Sequence, residues 1–214
     1  MELPPLPPLT NDQQENRVIF HDIAQHLMAK ELGFETGRIF VGTRFGQPTS
    51  LSKNSSKTTT KLDSSAGIAT HLRKRIMVLC AGVISEFEWF QKLPEFLMEK
   101  DHANTIYNNG LMDGFRLTDH HKIQELLIIL HGIEREPSEN DDLLENQKYE
   151  IFSVLYREAE CIFNSFSEKL FTLYGLVINE NWDNCGLIVN GERLAELEAE
   201  AEAADQASEK SIIA

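Results

Sequence analysis

Apolar residues recur at helical spacing along much of the chain. Val18, Ile19, Ile23, Leu27 and Met28 share one face of a predicted helix that is capped by Asn11 or Asp12 and runs to Leu32, with Gly33 as its stop. Leu72, Ile76, Leu79, Val83 and Phe87 form a second stripe over 72–90, where the small residues Ala81 and Gly82 permit another element to pack closely. Ile123, Leu126, Leu127 and Leu130 predict a helix from Asp119 to Ile133 with Thr118 as its N-cap. Ile151, Leu155, Ile162, Phe166 and Leu170 predict a longer one from Asn146 to Tyr174, stopped at Gly175.

The period changes between the first two stripes. Arg38 to Val41, bounded by Gly37 and Gly42, reads as a strand, and a second strand is expected near Ala66 to Thr70. Gln47 to Ser65 is rich in Ser, Thr and Lys and reads as a mobile surface loop; the acidic stretch Glu134 to Glu145 reads as a connection. Cys185 to Leu197 is expected to hold a turn at Asn190-Gly191 and a short helix. The fold class is therefore mostly α with a small β-hairpin or sheet element.

The chain ends divide the molecule further. Residues 1–12, with prolines at 4, 5, 7 and 8, read as a disordered arm, 13–197 as the folded domain, and 198–214, where Ala and Glu alternate, as a disordered acidic tail. Of 214 residues, 42% are apolar, enough for one sizeable core. The 34 Asp and Glu exceed the 20 Lys and Arg, a net charge of −14 that argues against nucleic acid and anionic membranes as partners. No apolar run approaches the ~20 residues of a membrane helix, the N-terminus lacks the basic region of a signal peptide, and Cys80, Cys161 and Cys185 are widely spaced. These features predict a cytoplasmic protein.

No H-E-x-x-H string, the zinc-protease signature that places two imidazoles one helical turn apart, occurs in the chain. His21 and His26 are five residues apart, about 140° around a regular helix, whereas Asp22 and His26 share a face. His120 and His121 read as a solvated helical turn, and His131 as a residue favoured by its helix C-terminus. Cys80 reads as a buried small hydrophobe, and Trp89-Phe90 with Phe87 as core or interface. Gly42 to Gly46 lacks the Lys-Ser or Lys-Thr of a P-loop, so no nucleotide is expected.

Three blocks in order, Val18 to Gly33, Leu72 to Glu86 and Gly114 to Leu126, resemble the peptidase domain of FtsH-type zinc metalloproteases. The resemblance implies a helical zinc-metallopeptidase-like domain. It places Asp22 on the first histidine of the family motif, Ile23 on its catalytic glutamate, His26 on its second histidine and Asp119 on its third zinc ligand. Zinc is thus the candidate cofactor, with Asp22, His26 and Asp119 as candidate ligands. His21 joins them if the helix is irregular near Ala24, and Asp22 then becomes the base. An isoleucine accepts no proton, so no catalytic residue is assigned otherwise. The expected function is a degenerate, catalytically inactive peptidase-like domain acting through contacts with a protein or peptide. The alternative is an active zinc-dependent metallopeptidase with an irregular site and no ATPase of its own; a further one is an adaptor that docks through its arm and tail.

Overall fold

Thr10 starts the first helix, α1 (Asn11–Glu31), through a capping box: its hydroxyl accepts from the Gln13 N–H at 3.2 Å while the Gln13 side chain accepts from the Thr10 N–H at 2.9 Å. In this computed structural model the described residues are 5–44, 47–50, 62–94, 96, 100–112, 117–136, 140–180, 182–183 and 186–213. Gly33, at φ +77°, turns the chain out of α1 as expected of a left-handed C-terminal stop. From Arg17 to Ala29 every residue of α1 is buried. It is a central helix, packed by α2 (Ser65–Gln91), by α5 (Asp141–Val177) and by the sheet. That position obliges its polar side chains to find partners inside the protein.

The segment expected as a second strand near Ala66 is instead the opening of α2. Ser64 caps it by accepting from the Gly67 N–H at 3.1 Å, and Ala69 and Leu72 extend the buried stripe that continues through Ile76. Two further helices, α3 (Lys100–Asn109) and α4 (Asp119–Glu134), follow, and the Thr118 hydroxyl accepts from the His121 N–H at 3.4 Å as the cap of α4. No stripe marked α3, whose sequence is largely polar. Helix α5 begins five residues before the predicted start because Asn140 caps it, accepting from the Leu143 N–H at 3.1 Å. It runs through Gly175, where burial of Leu173 and Val177 outweighs one glycine's weak preference against helix. Of the loop expected over 47–65, residues 51–61 lie outside the described residues.

The β element is larger than a hairpin and joins the two halves of the chain. β1 (Ile39–Arg44) pairs antiparallel with β2 (Gln47–Ser50) and with β4 (Gly186–Val189), and β4 pairs with β3 (Trp182–Asp183), in the order β2-β1-β4-β3. Ile39 opposes Val189 and Val41 opposes Leu187; all four side chains are buried, while Ile188 on the other face of β4 is exposed. Gly186, at φ +126°, lets the strands approach: a Cβ there would lie 2.1 Å from the Val41 carbonyl oxygen.

The two chain ends depart from expectation. Leu6 and Leu9 of the Pro-rich arm pack half-buried against the core. The segment read as a disordered acidic tail lies in α6 (Gly191–Ile213), in which Leu194, Leu197 and Ala201, at helical spacing, and Glu198 are buried. Glu198 accepts from His26 Nε2 at 2.7 Å and from Lys30, with Lys169 Nζ 3.5 Å away. Burial opposes its ionisation, but the His26 and Lys30 hydrogen bonds overcome that and hold its carboxyl down at about 2. Glu198→Ala leaves the buried His26 Nε2 without this acceptor and is expected to lower stability by about 2 kcal/mol. Urea unfolding measures it, and a loss below about 0.5 kcal/mol would show that α6 docks without this contact. Among the described residues no helix is long and apolar enough to cross a membrane.

Candidate functional site

The buried polar residues of α1 divide between two faces. His21 and Gln25, one turn apart, point towards α2 and the start of α4, whereas His26 points to Glu198 on α6. His21 is the hub of the first group. Its Nδ1 lies 3.0 Å from Glu86 Oε1 and its Nε2 lies 3.2 Å from Asp119 Oδ2. The Gln25 amide donates to Asp119 Oδ2 at 2.6 Å and sits 3.0 Å from His21 Nε2.

The network extends outward on both sides. Arg17 donates from Nε to Glu86 Oε2 at 2.9 Å and from Nη2 to the same oxygen, and its guanidinium lies 5.0 Å from the centroid of the Phe90 ring. Glu86 Oε1 also accepts from the Leu111 N–H at 3.3 Å. Lys122 donates to Asp119 Oδ1 at 3.1 Å. Charges therefore alternate along Arg17, Glu86, His21, Asp119 and Lys122. The N-terminus of α4 adds a favourable field at Asp119, its first residue.

Gly82 makes the convergence sterically possible. A Cβ on it would lie 2.5 Å from His21 Cε1, 2.7 Å from Gln25 Nε2 and 2.8 Å from Asp119 Oδ2, so α2 brings a bare backbone up to the hub. The close packing anticipated for Ala81 and Gly82 is thus packing against this network.

Electrostatics follow from the arrangement. Desolvation alone would strip the proton from His21, but Asp119 and Glu86 on either side reverse that and raise it to about 10. Burial likewise opposes ionisation of Glu86 and Asp119. Arg17 and His21 hold the first below the usual carboxylate range, and His21 and Lys122 the second. At neutral pH His21 is an imidazolium between two carboxylates.

Four candidate ligands came from the sequence, and the structure joins two of them, His21 and Asp119. His26 lies apart from them and contacts Glu198 on α6. Asp22 is buried, but adjacent residues on a helix diverge by about 100°, which turns it away from the His21 face. His21 and Gln25, rather than Asp22 and His26, share the face turned to Asp119. α1 is α-helical throughout, and no irregularity near Ala24 is needed to orient His21. Glu86, Gln25 and Arg17 went unassigned. The i, i+4 relation of His21 and Gln25 in the string His21-Asp-Ile-Ala-Gln25 was the signal available for them.

The donor set does not fit tetrahedral zinc as arranged. Ligands at 2.0–2.1 Å from zinc lie about 3.3 Å from one another, and the nitrogen ligand must offer a lone pair. Here Gln25 and Asp119 close to 2.6 Å, and an amide rather than a second imidazole stands one turn from His21. Among the described residues no group of three or more His, Cys, Asp or Glu side chains is disposed to hold a metal ion. Both buried carboxylates of the hub are engaged by cations, which leaves neither as a free general base.

The other histidines have local roles. His120 stacks edge-on against Tyr107 at 4.6 Å, and His131 is buried with Nε2 2.7 Å from Gln147 Oε1. Cys80 is buried, and burial pushes its thiol up; Cys161 is exposed, and Cys185 lies outside the described residues. No protein-family model matches the chain, and no curated protein matches it significantly.

Proposed function

We propose that this is an FtsH-peptidase-like domain in which a fixed ion network stands where the family holds its metal, and that it acts through protein contacts rather than proteolysis. The observation that carries the reading is the Gln25 amide, which donates to Asp119 Oδ2 at 2.6 Å from the position, one turn after His21, where the zinc signature has its second imidazole. The His21–Gln25 geometry moves the family alignment of the first block by one residue. His21 then takes the place of the first histidine, Asp22 that of the glutamate and Gln25 that of the second histidine. The base position thus keeps a carboxylate, one methylene shorter. What is lost is the second imidazole, and with it the neutral nitrogen pair that zinc prefers.

Metal content tests this directly. Full-length protein equilibrated with zinc and then dialysed is expected to retain far less than one zinc per chain, and cleavage of casein is expected to be absent and unchanged by chelator. The double substitution Asp22→Glu, Gln25→His, which writes H-E-x-x-H over 21–25, is expected to bring retention to about one zinc per chain. One zinc per chain in the unaltered protein, lost in His21→Ala and accompanied by chelator-sensitive cleavage, would overturn the reading.

A further inference from the structure

We propose that the groove between α2 and α5 docks an amphipathic helix of a partner protein, apolar on one face and flanked by lysine or arginine. The proposal rests on the protein-contact reading above and supplies its surface. Two cavities, of about 530 and 630 Å³, meet at Arg157 and Cys161 on α5; the first reaches Met77 and Val154, and the second is walled also by α3. Their α2 side is apolar over Met77, Val83, Ile84 and Phe87, with Glu88 at its end. Met77 to Phe87 spans about 15 Å of helix, the length over which a three-turn helix presents anchors at i, i+3 or i+4, and i+7. Val154 is 42% exposed on the opposite wall, a large apolar group turned to solvent.

The rim fixes the sign of the partner. Among the described residues, Glu88, Glu158 and Glu160 line the two cavities against Arg157 alone, and Arg157 donates from Nε to its own helix, at the Ser153 carbonyl, 3.1 Å away. An apolar floor between carboxylates repels phosphate and selects apolar side chains with cationic flanks. The net charge of −14 favours encounter with the same partner at longer range.

The probe is a fluorescein-labelled peptide of about fourteen residues built from leucine at i, i+3, i+4 and i+7 and lysine elsewhere, titrated with the full chain and read by anisotropy. Saturable binding is expected, about tenfold weaker for the same peptide with glutamate in place of lysine. Cys161→Arg, which fills the junction of the two cavities from an exposed position, is expected to weaken it about tenfold, and Glu160→Lys several-fold. Saturating peptide is expected to slow alkylation of Cys161, mapped by mass spectrometry, about fivefold or more. The proposal is overturned by absence of saturable binding, by equal affinity for the glutamate peptide, or by unchanged affinity in both variants when their melting matches the parent. Concentration-dependent dimerisation abolished by Cys161→Arg would assign the groove to a second copy and overturn it too. Failure of peptide binding without zinc uptake removes this groove and leaves the inert-domain reading standing. Zinc uptake with cleavage overturns that reading whatever the groove binds.

Discussion

Glu86→Ala is expected to lower the unfolding free energy by about 3 to 5 kcal/mol, the range found when one partner is removed from a buried ion pair. Glu86 is 1% exposed, and its two oxygens take Arg17, His21 and the Leu111 N–H. Removing it leaves a guanidinium that is 6% exposed and an imidazolium that is 4% exposed with a cation-facing cavity between them. The cost lies in those stranded charges more than in the lost attraction, and two companion variants separate the terms. Glu86→Gln keeps an acceptor for one donor but no charge, and belongs between parent and alanine. Arg17→Met combined with Glu86→Met removes the pair together and is expected to cost less than the sum of the single changes, because neither charge is then buried alone. Urea unfolding of the parent, Arg17→Met, Glu86→Met and the double variant closes the cycle, with Glu86→Ala and Glu86→Gln measured beside them. A loss below about 1 kcal/mol for Glu86→Ala would mean that water reaches the network, and the description of a sealed hub would be wrong.

The same network ties three helices together through side chains alone. A divalent cation bound by side chains from separate helices ties those helices together, so its loss ordinarily leaves like charges facing each other. Here α1 contributes Arg17, His21 and Gln25, α2 contributes Glu86 and α4 contributes Asp119 and Lys122. The three helices are cross-linked by hydrogen bonds between opposite charges, with the His21 proton in the central place. Under the proposed reading, such a hub holds α2 in place and with it the α2 side of the proposed groove.

How much of this could be read from the sequence depended on whether a signal was local. α4 was predicted with its cap because Thr118 and the Ile123 to Leu130 stripe are adjacent in sequence and sufficient by themselves. α1 was placed to within a residue at its end, through the pattern around Ile23 and the stop at Gly33, whereas its cap is Thr10 rather than Asn11 or Asp12. The start of α2 was misread because Ile68 and Thr70 favour strand locally; the Ser64 cap and burial of Ala69 decide otherwise. The acidic C-terminal segment looked unstructured because Ala and Glu alternate through it with few large apolar residues. Its order comes from Glu198 meeting His26, 172 residues away. In the site, His26 attracted the assignment as a better ligand type than Gln25. Only the rotation of α1 against α2, fixed by Gly82, decides which of two neighbouring residues faces Asp119.

Stability is expected to fall by about 3 kcal/mol as pH rises from 6.5 to 9, and His21 is the reason. Its folded pKa, about 10, lies above the ordinary histidine value of 6.5 because Asp119 and Glu86 outweigh desolvation. Below pH 6.5 both folded and unfolded chains carry the proton, and the stabilisation from the shift is fully present. Between 6.5 and 10 the folded chain alone retains it, and each pH unit withdraws about 1.4 kcal/mol. Two other sets of groups are separable from this limb. His71 and His120 are lowered by burial, so their effect is complete once pH exceeds 6.5. The buried Cys80 destabilises the fold where unfolded thiols ionise, from about pH 8 upward, and Tyr107, raised to about 12 by burial, does so together with Tyr156 where unfolded phenols ionise, from about pH 9 upward. On the acid side Glu86, Asp119 and Glu198 are all depressed, so the stability they supply is present above the ordinary carboxylate values and lost as pH falls through them. Urea midpoints taken every half unit should therefore be highest between about pH 4.5 and 6.5. Nitrogen chemical shifts of His21 should remain those of an imidazolium at pH 8.5, and His21→Gln, which keeps a donor but no titration, should flatten the limb from 6.5 to 9. A neutral His21 ring at that pH, or a limb unchanged in His21→Gln, would leave the hub without its central charge.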